Sequence, residues 1–171
     1  MVSVGDSFPT DVKLQYIPWS EENAGVLACS IPIPYDLEKK LPGRTVVFVA
    51  VPGAFTPTCT ANHIPPFVEK IGELKAKGVD DVVILSANDA FVQAAWGKAL
   101  GAKDELIFAS DPLASLSAEL GFTLDLSSNG FGIRTGRYAA IVKDGKITYL
   151  SQEPGAGVTV SGFDTVLAAL N

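Results

Sequence analysis

Apolar positions fall along the chain in short dense runs that alternate with helically spaced stripes. From Thr45 to Val51 the sequence TVVFVAV is continuously β-branched or apolar, the pattern of a strand buried on both faces of a parallel sheet, and it stops at Pro52-Gly53. Phe67, Ile71 and Leu74 then recur at helical spacing with Val68 beside them, and Lys75, Lys77 and Gly78 supply a C-terminal stop. Val82 to Leu85 reads as a second buried strand. Asn88-Asp89 caps a helix from Ala90 to Leu100 that Gly101 ends. Leu106 to Ala109 is a third strand, and Asp111-Pro112 opens a short helix ending near Gly121.

The pattern then changes. Tyr138 to Val142 and Ile147 to Leu150 are short strands joined across Asp144-Gly145, a strong hairpin dipeptide. Ser161 is placed to cap a last helix carrying Phe163, Val166, Leu167 and Leu170 on one face. A βαβαβα run, a hairpin and a closing helix is the order of an α/β, thioredoxin-like fold. Residues 1–44 fit it less well. They offer a strand at Val12 to Tyr16, a loop around Pro18, and Pro32 and Pro34 just beyond Cys29, and read as an N-terminal extension. With no internal repeat, low-complexity tract or linker, the expectation is a single domain over residues 1–171.

Composition narrows the function. Thirteen Lys and Arg against 19 Asp and Glu give a net charge of −6, and the basic residues are scattered. A nucleic-acid partner is disfavoured. The start, MVSVGDSFPTDVKLQ, has neither a basic n-region nor an apolar h-region, and no apolar run is long enough to span a bilayer. The ending LAALN is not a Ser-Lys-Leu type of peroxisomal address. The cytoplasm is the expected location, without membrane association. A mean hydropathy of +0.28 is high for a soluble chain of this size and suits extra burial in a subunit interface. With two cysteines and one histidine, the chain can hardly build a thiolate or imidazole zinc site, so no metal or other cofactor is expected. Inert burial or redox chemistry remains for Cys29 and Cys59.

The segment Pro52-Gly53-Ala54-Phe55-Thr56-Pro57-Thr58-Cys59-Thr60 lies between a central strand and a helix, where open α/β sheets bind ligands. A cysteine in a first helical turn meets unpaired N–H groups and the positive end of the dipole, which favour thiolate. By residue type alone a cysteine is more often a small buried hydrophobe, Thr56 an ordinary loop threonine, and Pro52 and Pro57 loop stiffeners. His63 falls four residues after Cys59, which raises a Cys–His pair. Pro65 and Pro66 interrupt that helix, and a structural hydrogen bond suits His63 better.

Pro52, Thr56 and Cys59, in PGAFTPTC, resemble the Pro-x-x-x-Thr-x-x-Cys signature of peroxiredoxins. TANHIP after Cys59, GRYAAIV around Arg137 and SANDAFVQAAW from Ser86 to Trp96 are similar to the fifth peroxiredoxin class, which includes fungal allergen-type members and alkyl hydroperoxide reductases. The likeness runs from Val4 to the C-terminus. It implies a thiol-dependent peroxidase acting on hydrogen peroxide and small organic hydroperoxides. Cys59 would be the peroxidatic cysteine, Pro52 its shield and Thr56 a hydrogen-bond partner of the peroxide. By context Arg137 would be the catalytic arginine, with Arg134 the competing candidate. The resemblance also implies Cys29 as a resolving thiol that forms a disulfide with the Cys59 sulfenic acid, and an intersubunit bond is preferred. Thioredoxin, glutaredoxin and glutathione stay open as reductants.

Two other readings compete. A disulfide oxidoreductase usually carries Cys-x-x-Cys, but the third residue after Cys59 is Asn62. An α/β binding or scaffold protein would leave both cysteines buried and unreactive. Phe91, Val92, Ala94, Ala95, Trp96, Ala99 and Leu100 make one helix apolar around most of its circumference, which fits either a wholly buried helix or a homodimer interface. Likeness to the family favours the homodimer.

Overall fold

The computed structural model describes all residues 1–171. Its centre is β3 (Thr45–Ala50), flanked in parallel by β4 (Asp81–Ser86), which is in turn parallel to β5 (Ile107–Ser110). On the other side, β8 (Tyr138–Lys143) runs antiparallel to β3, and β9 (Lys146–Gln152) closes that edge antiparallel to β8. Asp144 and Gly145 both take positive φ in the β8–β9 turn, as a tight hairpin requires. The N-terminal residues extend the same sheet. β1 (Leu14–Tyr16) pairs antiparallel with β5, and β2 (Ile33–Tyr35) with β1, for the order β2-β1-β5-β4-β3-β8-β9.

The unbroken apolar run of β3 has a simple cause: successive side chains enter different cores. Val47, Val49 and Val51 join Cys59, Phe67, Leu74, Trp96, Phe163 and Val166. Val46, Phe48 and Ala50 join Phe8, Leu14, Tyr35, Leu37, Leu116 and Leu120 on the opposite face. The first core is covered by α2 (Pro65–Glu69), α3 (Ile71–Ala76), α4 (Ala90–Ala99) and α6 (Phe163–Ala169). The second is covered by α1 (Leu37–Lys40) and α5 (Ser115–Leu120). At Gly97 a Cβ would sit 2.7 Å from Phe108, so α4 lies closer to β5 than any side chain at that position would allow.

Several expectations are corrected. α4 is not wholly buried: Ala90, Gln93, Trp96 and Gly97 face inward, whereas Phe91 is 52 % exposed. Asp89 is its cap and accepts from Val92 N at 3.0 Å, while Asn88 is bonded elsewhere. Asp111-Pro112 starts only a 3-10 turn, Pro112–Ala114, in which Leu113 and Ala114 take positive φ before α5 begins. Asp111 nevertheless receives the amides of Leu116 and Ser117, doing a cap's work from farther back. Ser161 does not cap α6. Gly162 holds that position, because Ser161 Oγ donates to Glu153. A second hairpin, β6 (Thr123–Leu126) with β7 (Gly132–Thr135), was not expected. Its half-exposed residues lack the dense apolar run that marks the central strands.

Candidate active site

The loop after β3 is fixed by bonds to itself and to β4. Asn88, just past the end of β4, accepts from Ala54 N at 2.9 Å, and Thr56 Oγ1 donates to Gly53 O at 2.7 Å. Phe55 has φ 61, which costs a non-glycine residue on the order of 1–2 kcal/mol. The arrangement is compact at Gly53, where a Cβ would lie 3.0 Å from Thr56 Cγ2.

Cys59 opens a π turn, Cys59–His63, rather than a regular helix. Pro65 and Pro66 have no N–H to return to Ala61 and Asn62, so an α-helix cannot run through them. Ile64 N instead reaches back to Cys59 O at 3.2 Å, and α2 starts afresh at Pro65. The turn packs on the core through Cys59, 1 % exposed, and His63, fully buried, and is pinned from α4 by Trp96 Nε1 donating to Thr60 Oγ1 at 3.1 Å.

Arg137 meets this turn from the far side. It lies between β7 and β8, where Gly136 permits a close approach: a Cβ there would come within 2.7 Å of Phe122 O. Arg137 Nη1 stands 3.4 Å from Cys59 Sγ and 3.0 Å from His63 Nδ1. His63 Nε2 is 2.9 Å from Ser161 O, so the coherent tautomer donates from Nε2 and accepts from Arg137 at Nδ1. Burial pushes the imidazole down to about 4; the bond to Ser161 opposes this, and the Arg137 charge adds to it. His63 is therefore neutral at pH 7.

Behind Ser161 stands Glu153, 8 % exposed. Its two oxygens accept from the amides of Thr159, Val160 and Ser161 and the hydroxyls of Thr159 and Ser161. Burial alone would raise this carboxyl, but the bonds from Thr159 and Ser161 outweigh it and hold it at about 2. Glu153, Ser161, His63 and Arg137 thus form a connected support leading to the sulfur. The sequence reading gave His63 a structural bond but missed its contact with Arg137 and the whole of Glu153. The Cys59-to-His63 spacing was the one signal available.

Pro52, Thr56 and Cys59 lie on one loop and turn, and the fold brings Arg137 to Cys59. Arg134 does not reach the sulfur. Its Nε donates to Phe131 O at 2.9 Å, and its guanidinium lies over the Phe131 ring. Cys29 is exposed rather than buried, in the loop between the Glu21–Asn23 turn and β2. Lys98 Nζ ties that loop to α4 by donating to Ala28 O at 2.8 Å. Both cysteines are free thiols. No cluster of three or more His, Cys, Asp or Glu is arranged to hold a metal, and no helix is long and apolar enough to cross a membrane. Cys59 Sγ thus faces a guanidinium N–H, the setting of a reactive rather than a purely structural cysteine.

The redoxin family model matches residues 3–167. A Lipomyces kononenkoae protein named as a peroxisomal peroxiredoxin is 58 % identical over 166 residues, 96 % of this chain and 99 % of that one. Peroxiredoxin AHP1 of Chaetomium thermophilum is 45 % identical over 168 residues, 97 % of this chain and 93 % of its own. Among solved structures, reduced Prx3 of Vibrio vulnificus in complex with hydrogen peroxide superimposes with a TM-score of 0.86 at 36 % identity, over the full length of both chains. With its thioredoxin-like sheet and its cysteine set against an arginine at the end of a central strand, the chain belongs to the peroxiredoxins, the thiol-dependent peroxidases of the redoxin family.

Proposed function

We propose that Cys59 is the peroxidatic nucleophile, acting on hydrogen peroxide and small organic hydroperoxides. The 3.4 Å contact between Arg137 Nη1 and Cys59 Sγ carries this reading. The Cys59 thiolate attacks the terminal peroxide oxygen, the O–O bond breaks, and the leaving oxygen takes a proton to depart as water or alcohol. Cys59 is left as a sulfenic acid. Arg137 and the backbone N–H groups of Thr58 and Cys59 direct positive dipoles at the charge developing on the leaving oxygen, while Thr56, whose hydroxyl proton goes to Gly53 O, offers its oxygen to the peroxide O–H. Pro52, beside them, limits water at the sulfur. That the similar Vibrio vulnificus protein holds hydrogen peroxide in its reduced form supports the substrate class.

The exposed Cys29 serves as resolving thiol in this reading. Its sulfur attacks the Cys59 sulfenic sulfur, water leaves, and a disulfide forms that a thioredoxin-, glutaredoxin- or glutathione-type dithiol or thiol reduces. An intersubunit bond suits a cysteine turned to solvent, and the half-exposed Phe55 and Phe91 give a homodimer apolar surface to bury. Two free cysteines suit the reducing cytoplasm. Imaging of a tagged chain tests that location, with peroxisomal puncta the contrary outcome. The activity is tested by coupled assays of wild type and Cys59→Ser with each of the three donors. Hydroperoxide-dependent turnover in wild type and none in a folded Cys59→Ser is the expected result, and near-normal turnover by Cys59→Ser would overturn the assignment.

A further inference from the structure

Beside the reactive loop lies an open cleft of about 220 Å³ lined by Pro52, Thr56, Asn88, Leu126, Phe131 and Arg134. Two of its walls are apolar, from Leu126 and Phe131, and its two nitrogen-bearing side chains both have hydrogen-bond capacity to spare. Arg134 uses only Nε within the chain, on Phe131 O, and is in no salt bridge. Asn88 Oδ1 accepts from Ala54 N, which fixes the amide orientation and leaves its NH2 group without a protein acceptor. Arg134 Nη1 reaches the reactive loop itself, 3.5 Å from where a Cβ on Gly53 would lie. The hairpin register pairs Leu124 with Arg134 and Asp125 with Ile133, so the nearest carboxylate along the strand is on the opposite face and accepts from Ser127 N instead.

An apolar slot ending in a guanidinium and an amide NH2, with no acidic partner, fits a ligand that is apolar along its body and anionic at one end. We propose that this cleft binds the carboxylate of acidic organic hydroperoxides, with Arg134 as a specificity-determining residue and Asn88 NH2 as a second donor. The peroxide end is thereby directed along Thr56 toward Cys59. The proposal rests on the assignment of Cys59 as peroxidatic nucleophile. It gives the two arginines of this region separate tasks: Arg137 at the sulfur and Arg134 at the far end of the substrate. The volume fits a short hydroperoxy acid.

The test compares second-order rates of Cys59 oxidation by a short hydroperoxy carboxylic acid, by its methyl ester and by hydrogen peroxide, in wild type and in Arg134→Gln. The expected result is a wild-type preference for the acid over the ester of roughly ten- to a hundred-fold, the range of a charge-assisted hydrogen bond, collapsing toward one in Arg134→Gln. In wild type the acid rate should also fall as salt is raised from about 20 to 500 mM, while the ester rate stays level. That measurement stands even where the variant fails to fold. Equal wild-type rates for acid and ester, a preference that survives Arg134→Gln, or a salt-independent acid rate would each overturn the subsite while leaving the peroxidase reading intact. Failure of hydrogen peroxide to oxidise Cys59 at all would overturn both.

Discussion

Arg137 divides one guanidinium nitrogen between a sulfur and an imidazole, and that division depends on the histidine being neutral. A charged His63 would have no lone pair at Nδ1 to offer and would repel the arginine, so burial of the ring works in the arginine's favour. Arg137→Ala is expected to lower the second-order rate with hydrogen peroxide by roughly ten- to a hundred-fold, the range for a hydrogen bond to a charged group. Arg134→Ala should cause the smaller loss, because its guanidinium rests on Phe131 rather than on the sulfur. Stopped-flow oxidation of the two variants checks this, and the reverse order would exchange their roles. At this scale Pro52, Thr56 and Cys59 were legible because the motif is contiguous. The choice of Arg137 over Arg134 came from the resemblance, through the GRYAAIV context, and not from residue type or spacing. Both lie within four residues, and in the fold Arg137 meets the sulfur while Arg134 turns to Phe131 O.

Elements with a dense apolar run or a clear stripe were legible, and β3, β4, β5, β8 and β9 lie within a residue or two of their expected bounds. The π turn was not legible in form, although Pro65 and Pro66 announced that the helix must restart. Ser161 misled because its hydroxyl has two possible employers, and a buried carboxylate outcompetes a helix amide. The segment from Glu153 to Ser161 supports His63, and its titration reaches stability. Between pH 6.5 and about 4 the unfolded chain protonates His63 and the folded chain does not, so stability falls as pH drops through that window, by up to about 3 kcal/mol. Glu153, at about 2 in the fold against 4.5 ordinarily, adds a second loss as pH falls from 4.5 toward 2. Urea unfolding of wild type and His63→Gln across this range should show the upper step only in wild type. An upper step of undiminished size in His63→Gln would assign it to another group.

For the whole molecule, the thioredoxin-like order was legible from periodicity, because strands buried on both faces cannot be disguised. The destination of residues 1–44 was not, since β1 and β2 are three residues each and β2 contains a proline. They extend the central sheet and carry Cys29 on an exposed loop between them. Peroxide-treated, alkylated protein run without reductant should therefore give a dimer band that is absent from Cys29→Ser and from Cys59→Ser. A Cys29–Cys59 crosslink within an oxidised monomer would replace the intersubunit bond with an intrachain one. The most direct test of the chemistry needs neither a reductant nor a partner. Cys29→Ser protein is mixed with one equivalent of hydrogen peroxide and a sulfenic-acid trap, then mapped by mass spectrometry. The predicted result is a single stoichiometric adduct on Cys59, and an unmodified Cys59 beside unconsumed peroxide would contradict its role as the nucleophile.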